Sequence, residues 1–247
     1  PNANVGERLL AALDHDEFCL FSQSIASLDP AGGGARLHEV TLRLNEEEDN
    51  HLPPGAFLRI AEDCGLVPSL DRWMVRKILK IAAEESREAG ACYLLPVSPA
   101  TIAEKSFGAF VRAELATRGV DGAILCLEFA ERDVLAGPRV YRDLIEELEG
   151  LGCRFAIASF GGSPASVAFF RQLRVSYLRL DGNIVFNLER DPEAVVRVQA
   201  INHAAHQAGM QIVAECVETE GTIAMLRRTG TDFAQGLGIA APCRMAA

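Results

Sequence analysis

The sequence predicts one α/β barrel of the TIM (β/α)8 type, modified by a reversed strand, and three observations carry that expectation. The chain has 247 residues, a size typical of a single barrel. Short apolar runs alternate with longer amphipathic stretches almost to its end. The first two runs are joined by a Gly/Pro turn with no helical pattern between them. Two small domains would fit the same length, so the alternation decides.

Strand-like runs lie at Glu17–Ile25, Arg36–Leu44, Ala91–Ser98, Ala123–Phe129, Arg154–Ser159, Ser176–Leu180, Gln211–Glu215 and Thr231–Gln235. Helical patterns fall near 5–14, 55–64, 69–88, 101–118, 139–151, 163–173, 190–209 and 218–229. Ile60, Leu66, Leu70, Trp73, Met74 and Ile78 have the spacing of a helix face turned to a core, with a break near Pro68. Alternating strands and helices imply parallel pairing through right-handed crossovers, and eight strands suggest closure. A parallel pair needs a crossover of about a dozen residues. Asp29-Pro30-Ala31-Gly32-Gly33-Gly34 is too short for one, so strands one and two should form an antiparallel hairpin. The acidic stretch Asn45-Glu46-Glu47-Glu48-Asp49-Asn50 reads as a solvated loop. No repeat or linker divides the chain, and residues 1–247 are expected to form one domain.

Composition narrows the function classes. The chain is 49% hydrophobic and 23% charged, with a mean hydropathy of +0.12. No apolar run approaches the ~20 residues of a membrane span, and no signal peptide is visible. Thirty-four acidic against 24 basic residues give a net charge of −10, which repels nucleic acid. Seven cysteines without C-x-x-C spacing read as reduced core thiols of a cytoplasmic domain rather than a zinc site. The start at Pro1 suggests a segment excised from a longer protein, whose parent could carry a membrane anchor.

In such a barrel, functional residues gather where strands end and loops begin. Glu39 and Arg43, Glu128 and Glu131, Arg179 and Asp181, Glu215 and Glu218, and Gln235 all fall there. Carboxylates crowded on one rim repel, and the remedies are a bound cation, an Arg partner or protonation. Each residue alone could equally be part of an interior ion pair.

The order of these residues resembles the EAL family of cyclic di-GMP phosphodiesterases and their inactive relatives. Gln23-Ser24-Ile25 resembles the family's Gln-Pro-Ile, and Glu39-Val40-Thr41-Leu42-Arg43 stands at its name-giving motif. Ala61-Glu62-Asp63-Cys64-Gly65-Leu66 and Leu70-Asp71-Arg72-Trp73 follow its first helical segment. Leu127-Glu128-Phe129-Ala130-Glu131, Val213-Ala214-Glu215-Cys216-Val217-Glu218-Thr219 and Phe233-Ala234-Gln235-Gly236 continue the match to Pro242.

Active members resemble two-metal phosphodiesterases, in which Mg2+ or Mn2+ lowers the pKa of a water and neutralises phosphate charge. The resemblance leaves Glu39, Glu128 and Asp181 as vestigial metal ligands. Pro96 replaces the ligand Asn, and Ala158-Ser159-Phe160-Gly161 replaces Asp-Asp-Phe-Gly. Arg179 stands for the catalytic Lys, and Glu215 matches the general base without a partner for it. No catalysis and no metal cofactor are therefore expected, and Mg2+ or Mn2+ would matter only if activity remained. Arg179, which cannot shed a proton, is expected to take over part of the charge compensation.

Binding is expected to persist. Arg43 matches the phosphate-contacting Arg. Gln23, Glu39, Leu42, Asp71, Glu218, Gln235 and Pro242 match further ligand positions. The wall Leu237-Gly238-Ile239-Ala240-Ala241-Pro242 lacks two aromatics and one cation of the family's pattern. The resemblance thus implies a receptor for cyclic di-GMP of the degenerate FimX and LapD kind, within a longer multidomain signalling protein. Its partners would be other domains of that chain, a separate protein, or a second copy in a homodimer. A protein-interaction module without nucleotide, and a weak metal-dependent phosphodiesterase, are the alternatives. Glu131 has lost its usual Thr neighbour, and Gly161-Gly162-Ser163 is read as the remains of the loop that couples the site to dimerisation. His203 and His206 are read as capping or surface residues.

Overall fold

The computed structural model describes residues 2–15, 17–29, 36–45, 55, 57–84 and 90–245, with side chains from Gly6 onward. Helix α1 (Asn2–Asp14) precedes strand β1 (Phe18–Ser27), which runs antiparallel to β2 (Arg36–Leu44). The register Phe18↔Leu44 to Ile25↔Leu37 is that of a hairpin. Its turn at 30–35 and the acidic residues 46–50 lie outside the described residues.

From β2 the strands β3 (Ala91–Pro96), β4 (Leu125–Ala130), β5 (Arg154–Phe160), β6 (Tyr177–Leu180), β7 (Gln211–Ala214) and β8 (Phe233–Ala234) pair in parallel, each with the next. Strand β8 then meets β1 antiparallel through Ala26↔Ala234 and Ser27↔Phe233, which closes the barrel. The expected barrel with β1 reversed is the one formed. A ninth strand, β9 (Cys243–Arg244), adds to β1 at Phe21 and Ser22. Sequence patterning missed it because two residues carry no periodicity.

Helices α2 (Leu58–Asp63) and α3 (Val67–Glu84) follow β2. The break falls at Cys64–Leu66, and Pro68 sits in the first turn of α3, where its missing N–H costs nothing. The pattern at 101–118 divides into α4 (Pro99–Ala103), whose N-cap is Ser98, and α5 (Ser106–Arg118). Two short helices were not anticipated, α6 (Glu131–Ala136) and α9 (Gly182–Phe186). The rest are α7 (Pro138–Glu149), α8 (Pro164–Gln172), α10 (Pro192–Gln207) and α11 (Glu220–Thr229). None of the described helices is long and apolar enough to cross a membrane.

The core divides in two. A large cluster lies between barrel and helices, and a small one fills the barrel with Ile25, Leu37, Leu94, Cys126, Ala156, Tyr177, Val213 and Phe233, joined by Cys92. All seven cysteines are free, but Cys216 and Cys243 are exposed, which corrects the expectation that all are core thiols.

Candidate functional site

Side chains alternate between the faces of a strand, so the residue two places on from each interior residue faces the barrel again. Two places on from Leu37, Leu94, Cys126, Ala156, Tyr177, Val213 and Phe233 stand Glu39, Pro96, Glu128, Ala158, Arg179, Glu215 and Gln235. On reversed β1 the count runs backwards, from Ile25 to Gln23. One period-two step thus turns an apolar layer into an eight-membered ring, one member per strand, with only Pro96 and Ala158 apolar.

Arg179 is the hub of this ring and is 3% exposed. Its Nη1 donates to Glu128 Oε2, and its Nη2 lies 2.9 Å from Glu39 Oε1. Nη2 also donates to Gln235 Oε1 at 2.7 Å. Nε stands 2.7 Å from Glu215 Oε1, an ion pair whose N–H direction misses the oxygen. Gln235 Nε2 donates in turn to Gln23 Oε1 and Glu39 Oε2, both at 2.7 Å, while Gln23 Nε2 holds Ala240 O at 2.8 Å. Burial works against the Arg179 charge, but Glu128, Glu215 and Glu39 more than offset it and raise its pKa. Glu215 is pushed up to about 7 by burial; Arg179 opposes this, while Glu128, Glu39 and Asp181 add repulsion.

A pair of dications does not fit these residues. Hard cations require several oxygen ligands, and a guanidinium already bridges Glu39 and Glu128. Pro96 and Ala158 offer no side-chain oxygen. Ser159 is exposed in a left-handed backbone (φ 54°), at a bulge between Ile157 and Phe160. Asp181 caps α9 by accepting from Asn183 N at 2.9 Å. Among the described residues, no three His, Cys, Asp or Glu side chains are placed to hold a metal ion.

Beside the ring opens a cleft of about 530 Å3, lined among others by Leu42, Arg43, Asp71, Met74, Val97 and Pro242. Pro96, Glu128 and Ala158 of the ring also line it. The Arg43 guanidinium lies 3.9 Å from the Phe21 ring centroid, a cation–π contact that fixes its aim. Asp71 is buried and accepts from Ser98 N (2.9 Å) and Thr101 Oγ1 (2.5 Å), so it ties α3 to the start of α4. Burial raises its pKa against those hydrogen bonds. Glu218 is exposed beyond β7, outside both the ring and the lining of the cleft.

The loop after β5 is anchored despite its changed sequence. Gly161 N donates to Glu131 Oε2 at 2.8 Å, and Arg197 Nη2 donates to Gly161 O at 2.7 Å. Gly162 has φ +83°, and a Cβ there would meet Ile201 at 2.5 Å. His206 pairs with Asp232 (2.8 Å) and His203 with Gln207 (2.9 Å), so the two histidines serve separate partners. Phe21, Thr101 and Arg197 were not singled out from sequence. They act on Arg43, Asp71 and Gly161 across elements, and no local pattern marks them.

A closed barrel with one reversed strand, a polar ring at one mouth and a flanking cleft defines a modified α/β barrel whose candidate site lies at the strand ends. The chain belongs to the EAL domain family, which it matches over residues 6–242. It is 30% identical to the cyclic di-GMP phosphodiesterase PdeF of Escherichia coli, over 95% of this chain and 31% of PdeF. The chain thus spans about a third of the length of that curated relative. Among solved structures it resembles the Xanthomonas citri FimX EAL domain in complex with c-di-GMP, with a TM-score of 0.89 and 25% identity, covering 98% of this chain and 94% of that one. The FimX EAL domain of Pseudomonas aeruginosa bound to c-di-GMP is similar at 25% identity and a TM-score of 0.86, covering 95% and 94%.

Proposed function

We propose that this domain is a receptor that binds cyclic di-GMP without cutting it. The carrying observation is Arg179, a permanent cation held among Glu39, Glu128 and Glu215 where a phosphodiesterase of this family would hold metal ions. A guanidinium neutralises carboxylates but activates no water. Arg43, Leu42, Asp71 and Pro242, which line the cleft, are the proposed ligand contacts, with Gln23, Glu39 and Gln235 of the ring and the exposed Glu218 beyond β7 as further proposed contacts outside that lining. The FimX complexes support the reading, because domains of this shape bind the nucleotide. Occupancy would then bias contacts with a partner protein or with other domains of the same chain.

Calorimetric titration of c-di-GMP in EDTA should show binding, and Arg43→Ala should weaken it at least about tenfold. Absence of heat at high ligand would remove the reading. So would linear pGpG that accumulates with Mn2+ and vanishes in Glu39→Ala. One observation favours a protein-interaction module instead: Leu237, in the depleted wall, is 70% exposed. That reading expects no nucleotide binding, and partner capture that depends on Leu237 rather than Arg43.

A further inference from the structure

The opposite end of the barrel carries a second cleft, of about 750 Å3, a volume within the range of small-molecule sites. Arg154, Arg171, Arg174, Tyr177, Gly209 and Gln211 contribute to its lining, and no carboxylate does. In a chain of net charge −10, this is a local reversal of sign.

Arg154 starts β5 two residues before Ala156, so it faces the barrel axis from below. One N–H, on Nη1, donates to Tyr177 Oη at 3.2 Å. A guanidinium has five donors; with the Cys92 sulfur as a second acceptor, up to three remain for other acceptors. Among the described residues neither Arg154 nor Arg171 has a carboxylate partner, whereas Arg72, Arg76, Arg112, Arg118, Arg174 and Arg179 each have one. Arg174 follows α8 in a left-handed backbone (φ 56°), a position where glycine would be relaxed. Arg171, in the last turn of α8, would also offset the negative end of that helix. That role does not account for Arg154, which arrives from a strand and lines the same space.

We propose that this cleft is an anion site for a phosphate-bearing small molecule, separate from the Arg179 ring and independent of the cyclic di-GMP reading. Forked N–H groups suit phosphoryl oxygens, and the volume admits a ligand up to nucleotide size.

The test is calorimetric titration of the whole 247-residue chain with inorganic pyrophosphate, repeated with a nucleoside diphosphate. Titrated in an Arg43→Ala background, which removes the phosphate contact proposed at the other mouth, pyrophosphate should bind with a submillimolar Kd, weakened about tenfold or more by Arg171→Glu or Arg154→Gln. Tighter binding of the nucleoside diphosphate, with the same variant pattern, would support a nucleotide ligand over free phosphate. Arg171 is exposed, so its variant folds even if Arg154→Gln does not. Absence of heat at millimolar pyrophosphate overturns the proposal, as does binding that survives Arg171→Glu. An Arg171→Glu effect confined to thermal stability, with pyrophosphate affinity unchanged, would assign that residue to the helix end alone and overturn it as well.

Discussion

Arg179 Nη2 stands 2.9 Å from Glu39 Oε1, and the two residues come from β6 and β2, strands that lie opposite one another around the barrel. The contact therefore crosses the barrel mouth, while Glu128 and Glu215 approach from strands between. Removing the cation would leave three carboxylates facing one another in a poorly solvated space. Arg179→Met should cost about 3–5 kcal/mol in urea unfolding at neutral pH. The variant should regain stability on acidification, as its carboxylates take up protons.

Glu215 gives the native protein a pH dependence of its own. Its folded pKa of about 7 lies above the ordinary 4.5, so the native state holds the proton more tightly than the unfolded chain. The stabilisation is complete below the unfolded pKa and is lost as pH rises through the folded value. Between about pH 4.5 and 7 the group should contribute a loss on the order of 1–3 kcal/mol. Thermal unfolding across that window should fall with pH, and Glu215→Gln should flatten the slope.

Cys216 adopts φ 56°, a left-handed backbone in which a side chain is strained. Cys216→Gly should stabilise by roughly 0.5–1 kcal/mol, the steric relief outweighing the entropy that glycine loses on folding. Cys216→Ala keeps the Cβ and should gain nothing, so paired urea midpoints isolate the backbone effect.

Glu131 is the acceptor for Gly161 N, at 2.8 Å. Glu131→Ala should cost about 1 kcal/mol. It should also speed hydrogen exchange at the Gly161 amide, without changing exchange in β4.

The strand and helix alternation was legible because two periods, near two and 3.6, separate cleanly in residues 91–229. The reversed β1 was legible from Asp29–Gly34, too short for a crossover. The short helices α6 and α9 escaped because five or six residues hold less than two turns of pattern. The ring members were readable as polar residues in buried strands. That they share one layer follows only when the interior face of each strand is known. The ties of Thr101 to Asp71 and of Phe21 to Arg43 depend on tertiary placement, which no window of sequence encodes.

Barrel closure rests on two registered pairs, Ala26↔Ala234 and Ser27↔Phe233. Gln23 and Gln235, which touch beside that seam, are 212 residues apart in the chain. A growing polypeptide therefore cannot complete the ring until residue 235 has been made. Until then the β1–β2 hairpin waits with an unsatisfied strand edge, open to mispairing. Order of synthesis thus makes the polar ring a late product of folding, one that waits for β8 to reach β1.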